Sequence, residues 1–295
     1  MKRYRPKQVT NPITPTPAPS TTKSGMYVNG FTATLPDNSL RAALKSFIEK
    51  KGFNFLIFYM GSLLDNSTNR TLMRAFLSSL TVAKKGVNVT QSVNAINTSD
   101  AGTTAAYNVG CSNASEKFNL FVQEGEFWHA NNYFNSFSEY AANSLLIYNY
   151  CVANNITYDT YLARCEDVAG VTPDADVATW IVQHSDTIHL VDYVNKTKFN
   201  TYKGLSDGIK AQIQLIANAA NQEGKIQKIN ILWASEGNYV NGVATNMRDV
   251  FVENPTLLPV FEMFKTVYDA WDFPNKSNIS LTGQNIYGYN GIKDL

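Results

Sequence analysis

A chain of 295 residues that is 44% apolar and 17% charged has ample material for one large core, which excludes a globally disordered polypeptide. Its 25 basic and 24 acidic side chains leave a formal net charge of +1, so overall charge favours neither nucleic acid nor an acidic surface as the main partner. No apolar run reaches the length of a membrane span, and a membrane partner is not expected.

Residues 1–24 are rich in Pro, Thr and basic side chains and form an extended arm rather than a domain, because such a composition buries too little apolar surface to pack alone. Its basic residues Lys2, Arg3, Arg5 and Lys7 are not followed by the apolar stretch of a Sec signal, which points to a cytoplasmic or particle-associated (virion) setting. Either these charges are simply solvated or the arm joins the chain to a homo-oligomer or a larger assembly. Residues 25–295 then form one domain.

From Gly25 onward a unit recurs: a β-branched and aromatic run, a polar loop, an amphipathic stretch, and a basic or glycine stop. Ser39 to Gly52 followed by the run from Phe53, and Asn69 to Gly86 followed by the run from Val87, are the clearest copies, each helix ending in Lys-Lys-Gly. Strands are expected near 26–31, 53–59, 87–93, 118–126, 157–163, 186–193, 228–235 and 280–287. Eight strands alternating with helices imply a single (β/α)8 barrel of the TIM type. The competitor, an open doubly wound sheet, would show a Gly-rich phosphate loop that is absent. Only Asn290 to Leu295 follow the last strand, too few for a closing eighth helix, so the arm, a loop or a second subunit should cover that flank.

Barrel sites lie at the C-terminal ends of strands, and the fourth stands out. The period of two places Leu120, Val122, Glu124 and Glu126 on one face, with a carboxylate pair at the top. Like charges on one face raise the apparent pKa of one partner and prepare a proton donor. The bland alternative is that both carboxylates face solvent at the start of a loop.

An inward acidic ladder ending in Glu on strand four resembles the Asp-Gly-x-Asp-x-Asp-x-Glu signature of family 18 glycoside hydrolases, the chitinases and endo-β-N-acetylglucosaminidases. The resemblance puts Glu126 at the proton donor and Glu124 at the Asp that positions the substrate N-acetyl group. Val122 then replaces the first inner Asp, so the motif is degenerate. Asp192 and Tyr193 offer, in reversed order, the family's pair near the end of strand six. A second arrangement resembles retaining two-carboxylate barrel glycosidases, with Glu236 at the end of strand seven as nucleophile, although Gly125 stands where those enzymes usually carry Asn.

Aromatic and polar residues at the same level extend this to a saccharide surface: Tyr59, Gln91, Trp128, Asp192, Tyr193, Trp233 and Tyr287 as substrate-binding groups. Each aromatic fits core packing equally well. No cofactor is implied, no metal-binding pair is present, and Cys111, Cys151 and Cys165 read as buried thiols. The resulting expectation is a glycoside hydrolase-like barrel that binds, with or without cleaving, an N-acetylglucosamine-containing glycan. The alternative is a non-catalytic barrel acting as a structural, decoration or receptor-binding component of an assembly such as a virion.

Overall fold

A computed structural model of the protein describes residues 23–89, 100–129, 134–236, 239–240, 243–244 and 246–295. Eight parallel strands close into a barrel: β1 (Lys23–Val28), β2 (Phe55–Phe58), β3 (Lys84–Val89), β4 (Leu120–Gln123), β5 (Thr157–Leu162), β6 (Thr187–Asp192), β7 (Gln227–Ala234) and β10 (Ile279–Tyr287). A small antiparallel hairpin, β8 (Tyr239–Val240) and β9 (Val243–Ala244), lies between the last two. The closure pairs β1 with β10, Tyr27 opposite Tyr287, and β1 with β2, Tyr27 opposite Ile57. The open-sheet competitor is thereby excluded.

Helices alternate with the strands. In chain order they are α1 (Phe31–Thr34), α2 (Asn38–Lys51), α3 (Ser67–Ser79), α4 (Asp100–Val109), α5 (Phe137–Ala153) and α6 (Asp174–His184). There follow α7 (Lys196–Tyr202), α8 (Asp207–Gln222), α9 (Arg248–Glu253), α10 (Leu258–Ala270) and α11 (Tyr289–Ile292). Local chemistry sets their ends. The Asp37 carboxylate accepts from the N–H groups of Ser39 and Leu40 at the start of α2, and Gly52 ends that helix at φ 67°, the left-handed C-cap read from the sequence.

The second Lys-Lys-Gly behaves differently and corrects the expectation that it stops a helix. Helix α3 ends at Ser79, and Lys84, Lys85 and Gly86 open β3. The buried Lys85 ammonium donates to the carbonyl oxygens of Leu77 and Ser115 instead, capping the end of α3 from the neighbouring strand.

The barrel interior tapers through glycine. A methyl group on Gly25 would lie 1.9 Å from Asn285 Oδ1 and 2.9 Å from the Phe55 ring, and one on Gly86 would lie 2.6 Å from the Leu120 side chain. These two positions let bulky inward residues on adjacent strands reach the axis.

After β10 comes the four-residue α11. A groove of ≈ 880 Å³ lies beside the C-terminal residue, lined by Lys50, Lys51, Pro255, Leu258 and Leu295. Residues 1–22 of the arm lie outside the described residues, and β1 already begins at Lys23.

Replacing Gly25 by Ala should destabilise the barrel by about 1–3 kcal/mol through overpacking against Asn285 and Phe55. Urea denaturation of the variant against the parent chain measures this, whereas a Gly52→Ala change meets no neighbour and is opposed only by its positive φ.

Candidate functional site

The C-terminal mouth of the barrel is built from tyrosines around one carboxyl group. Tyr27 stands on β1, Tyr59 just beyond β2, Asn88 on β3, Glu124 just beyond β4, Tyr161 on β5, Tyr193 just beyond β6, and Tyr287 at the end of β10. The Glu124 N–H donates to the Val89 carbonyl at 3.0 Å, so the β3–β4 ladder continues through it and holds its side chain inward. Tyr59 donates its hydroxyl to Glu124 Oε2 at 2.5 Å, and Asn88 Nδ2 donates to the same oxygen at 2.6 Å.

The rings pack around this group in tilted and edge-to-face pairs. The Tyr27 centroid lies 6.1 Å from that of Tyr59 and 5.9 Å from that of Tyr287, and Tyr59 lies 5.7 Å from Tyr287. Trp128 stacks on Tyr161 at 6.2 Å, and the hydroxyls of Tyr161 and Tyr193 are 2.5 Å apart. Gly125 is required between the two glutamates, because a Cβ there would lie 2.5 Å from Tyr140 and 2.6 Å from Phe134. The tight packing of this segment on α5 is what turns Glu124 into the barrel.

Burial pushes the Glu124 carboxyl up to about 7; the Tyr59 hydrogen bond opposes this, the nearby Glu126 adds to it, and the Asn88 bond opposes it. Burial, followed by the Glu124 charge, lifts Tyr27 and Tyr59 well above the ordinary phenol range. Tyr287 is pushed up to about 12 by burial and then by Glu124 and Glu236. The tyrosines therefore remain protonated donors at any neutral pH, and Glu124 alone among these groups changes charge near neutrality.

Beneath the mouth lies a polar column that the sequence reading did not identify. His189 Nδ1 accepts from the Tyr27 hydroxyl at 2.6 Å and from Asn285 Nδ2 at 3.1 Å, which places the imidazole proton on Nε2, 3.1 Å from Asp159 Oδ2. Asp159 Oδ1 accepts the Thr187 N–H at 3.0 Å. Tyr27, Asp159 and His189 are essentially inaccessible to solvent. The signal that could have found them is parity: Asp159 alternates with Tyr161, and His189 with Tyr193, on the inward face of their strands.

Other residues read from the sequence go elsewhere. Trp233 is a correction: it faces outward from β7, fully buried, with its ring 5.7 Å from both Phe199 and Phe264 and its Nε1 donating to Gln284 Oε1 at 3.0 Å. Asp192 is a second correction. It is three residues from the inward His189 and so occupies the opposite face of β6, where it lines a cleft of ≈ 650 Å³ with Arg164, Lys198, Tyr202 and Ser206. Burial pushes its carboxyl up to about 8, opposed by Lys198. Glu236 lies beside Tyr287, on which its charge acts. Glu126 stands three residues past the end of β4, close enough to raise Glu124. Gln91 lies outside the described residues. Among the described residues no cluster of three or more His, Cys, Asp or Glu side chains is arranged to hold a metal, and Cys111, Cys151 and Cys165 are free and buried.

No protein-family model matches the chain, and no curated protein matches it. Among solved structures it is similar to the apo form of a "putative deoxyribose-phosphate aldolase" from Toxoplasma gondii ME49, with 9% sequence identity, 93% of this chain and 92% of that chain covered, and a TM-score of 0.44. At 9% identity this is a likeness of barrel architecture, without residue correspondence.

The expectation of a family 18-like glycoside hydrolase with a glycan ligand is corrected by the geometry of β4, where the acidic ladder does not carry through. Val122 is fully buried where the motif has an ionisable group, Glu126 lies beyond the strand, and Glu124 is tied by one oxygen to Tyr59 and Asn88. The alternative of a structural, decoration or receptor-binding component of a virion finds no support either, since the arm on which it rests falls almost wholly outside the described residues.

The raised carboxyls have a consequence for stability. Folding binds protons to Glu124 and Asp192 at pH values where the unfolded chain has released them, so the contribution is fully present below the unfolded pKa near 4 and is lost as pH rises through about 7 and about 8. The parent chain should lose about 3 kcal/mol of unfolding free energy through Glu124 and about 5–6 kcal/mol through Asp192 across that window. Denaturation of Glu124→Gln at a series of pH values should show a flatter slope than the parent; an unchanged slope would mean that Glu124 is not buried as described.

Proposed function

We propose that the chain is an enzyme that transfers a proton at carbon, with Glu124 as the general base and acid and the tyrosine hydroxyls as donors to a developing enolate. The observation that supports this reading is the half-buried Glu124 carboxyl, bonded through one oxygen to Tyr59 and Asn88 in the mouth of the barrel and pushed up to about 7 by burial. A base is most effective when its pKa lies near the working pH, and such a group contributes about 10²–10⁴ in rate. Ionised Glu124 takes a proton from the carbon next to a substrate carbonyl. The oxygen gains negative charge and is met by neutral phenols that keep their protons, the Tyr161 and Tyr193 pair among them. The protonated Glu124 then returns its proton to the same or an adjacent atom, which is the half-reaction shared by isomerases and by lyases that cleave beside a carbonyl.

Two features narrow the chemistry. Every lysine on a barrel strand (Lys23, Lys84, Lys85 and Lys228) is at the first or second residue of its strand, the end opposite the mouth. Schiff-base formation on a strand lysine therefore does not fit this site. The charges that act on Tyr287 are carboxylates, Glu124, Glu236 and Glu126, which disfavours phosphorylated substrates.

Solvent exchange tests the reading without a known product. In deuterated buffer, small aldehydes and ketones of different charge should include members that lose their α-proton signal in the presence of the enzyme, with a rate that rises with pH through an inflection near 7. Glu124→Gln should slow this by about 100-fold or more, and Tyr59→Phe by about tenfold. Exchange that continues at the parent rate in Glu124→Gln would remove the assignment.

A further inference from the structure

A buried polar atom on β3 has no hydrogen-bond partner among the described residues. Asn88 is 4% exposed, and its Nδ2 is committed to Glu124, yet its Oδ1 has no hydrogen-bond partner among the described residues. A buried amide oxygen left without a donor costs about 1–3 kcal/mol, so a donor is called for at that position. Both donors to Glu124 meet at Oε2, which leaves Oε1 as the carboxylate atom for an incoming group.

The charge that acts on this pair's surroundings comes from carboxylates. Glu124 acts on Tyr59, Tyr161, Tyr193 and Tyr287, Glu126 on the last three, and Glu236 on Tyr287. The floor consists of phenol rings, whose faces carry the negative lobe of the ring quadrupole. An anion would be repelled by both features. An uncharged hydroxyl would satisfy Asn88 Oδ1 but bring no counter-charge to Glu124.

We infer that the mouth takes a small organic cation bearing at least one N–H, a primary or secondary ammonium that donates to Asn88 Oδ1 and Glu124 and rests against the tyrosine faces. This deepens the proton-transfer reading and rests on the mouth being the reaction site. Within that reaction the ammonium also does chemical work: a positive charge near the carbonyl acidifies the adjacent C–H and balances the enolate. Because the bound cation favours ionised Glu124, binding releases a proton and strengthens as pH rises through about 7.

The test compares three probes of one chain length on the full chain, n-butylammonium, 1-butanol and butyrate, by calorimetric titration at fixed ionic strength, at about pH 8 and about pH 6. The ammonium should bind about tenfold or more tighter than the alcohol, with butyrate weakest, and should weaken several-fold at the lower pH. Glu124→Gln and Asn88→Leu should each abolish the preference for the ammonium, while Asn88→Asp, which keeps an acceptor there, should retain it. Thermal melting of each variant shows whether it is folded, and the pH dependence of the parent chain stands without any variant.

Equal or tighter binding of 1-butanol or butyrate, no detectable ammonium binding, or a preference that survives Glu124→Gln in a folded variant would overturn the inference. Glu124-dependent solvent exchange without ammonium preference leaves proton transfer standing and removes the cation. Ammonium preference with Glu124-independent exchange supports the cation and removes proton transfer.

Discussion

Burying a carboxyl group in a ring of phenols is the constraint around which the upper half of this barrel is arranged. In water Glu124 would be ionised well below neutrality; in the mouth it loses solvent faster than Tyr59 and Asn88 can replace it. The two bonds are strong enough to fix the side chain and too few to restore its usual acidity. That imbalance leaves a carboxyl that exchanges its proton near neutral pH, which is the property an acid–base site needs.

The geometry that maintains this imbalance comes from several layers at once. Continuation of the β3–β4 ladder through Glu124 sets its direction, and Gly125 allows the chain to turn against Tyr140 and Phe134 with no room for a side chain. Below, the Asp159–His189–Tyr27 column anchors a phenol whose ring contacts Tyr59, Tyr161 and Tyr287. The hydrogen bonds of that column tie Tyr27 to two further strands, so it works as a fixed post. A ring of aromatic side chains with one post is a stiff support, and stiffness keeps the hydroxyl donors aimed at one small volume.

Barrel closure also explains the separation of the two perturbed carboxyls. Glu124 faces the axis and Asp192 faces the helices, although both come at the ends of strands and both are buried. One residue of parity divides the mouth from the cleft between β6 and α8. Trp233 falls on the same side of that division as Asp192, packed between Phe199 and Phe264 where its indole stabilises the helix layer.

The eight strands and the first helix cap at Gly52 were legible in the chain, because periodicity and turn chemistry are local properties that survive in any tertiary setting. The inward turn of Glu124 and the aromatic character of the mouth at Tyr59 and Tyr287 followed from the same alternation. Local pattern failed where a long-range partner decided the outcome. Lys84, Lys85 and Gly86 look like a helix stop, but Lys85 finds the carbonyls of Leu77 and Ser115 and the segment becomes a strand. The pairing of Tyr27 with His189, 162 positions apart, and of Glu124 with Tyr59, 65 apart, has no trace in any short window. Sequence determined which residues could line the barrel; closure of the sheet decided which of them meet, because only the three-dimensional path sets how much water each carboxyl loses and which hydroxyl replaces it.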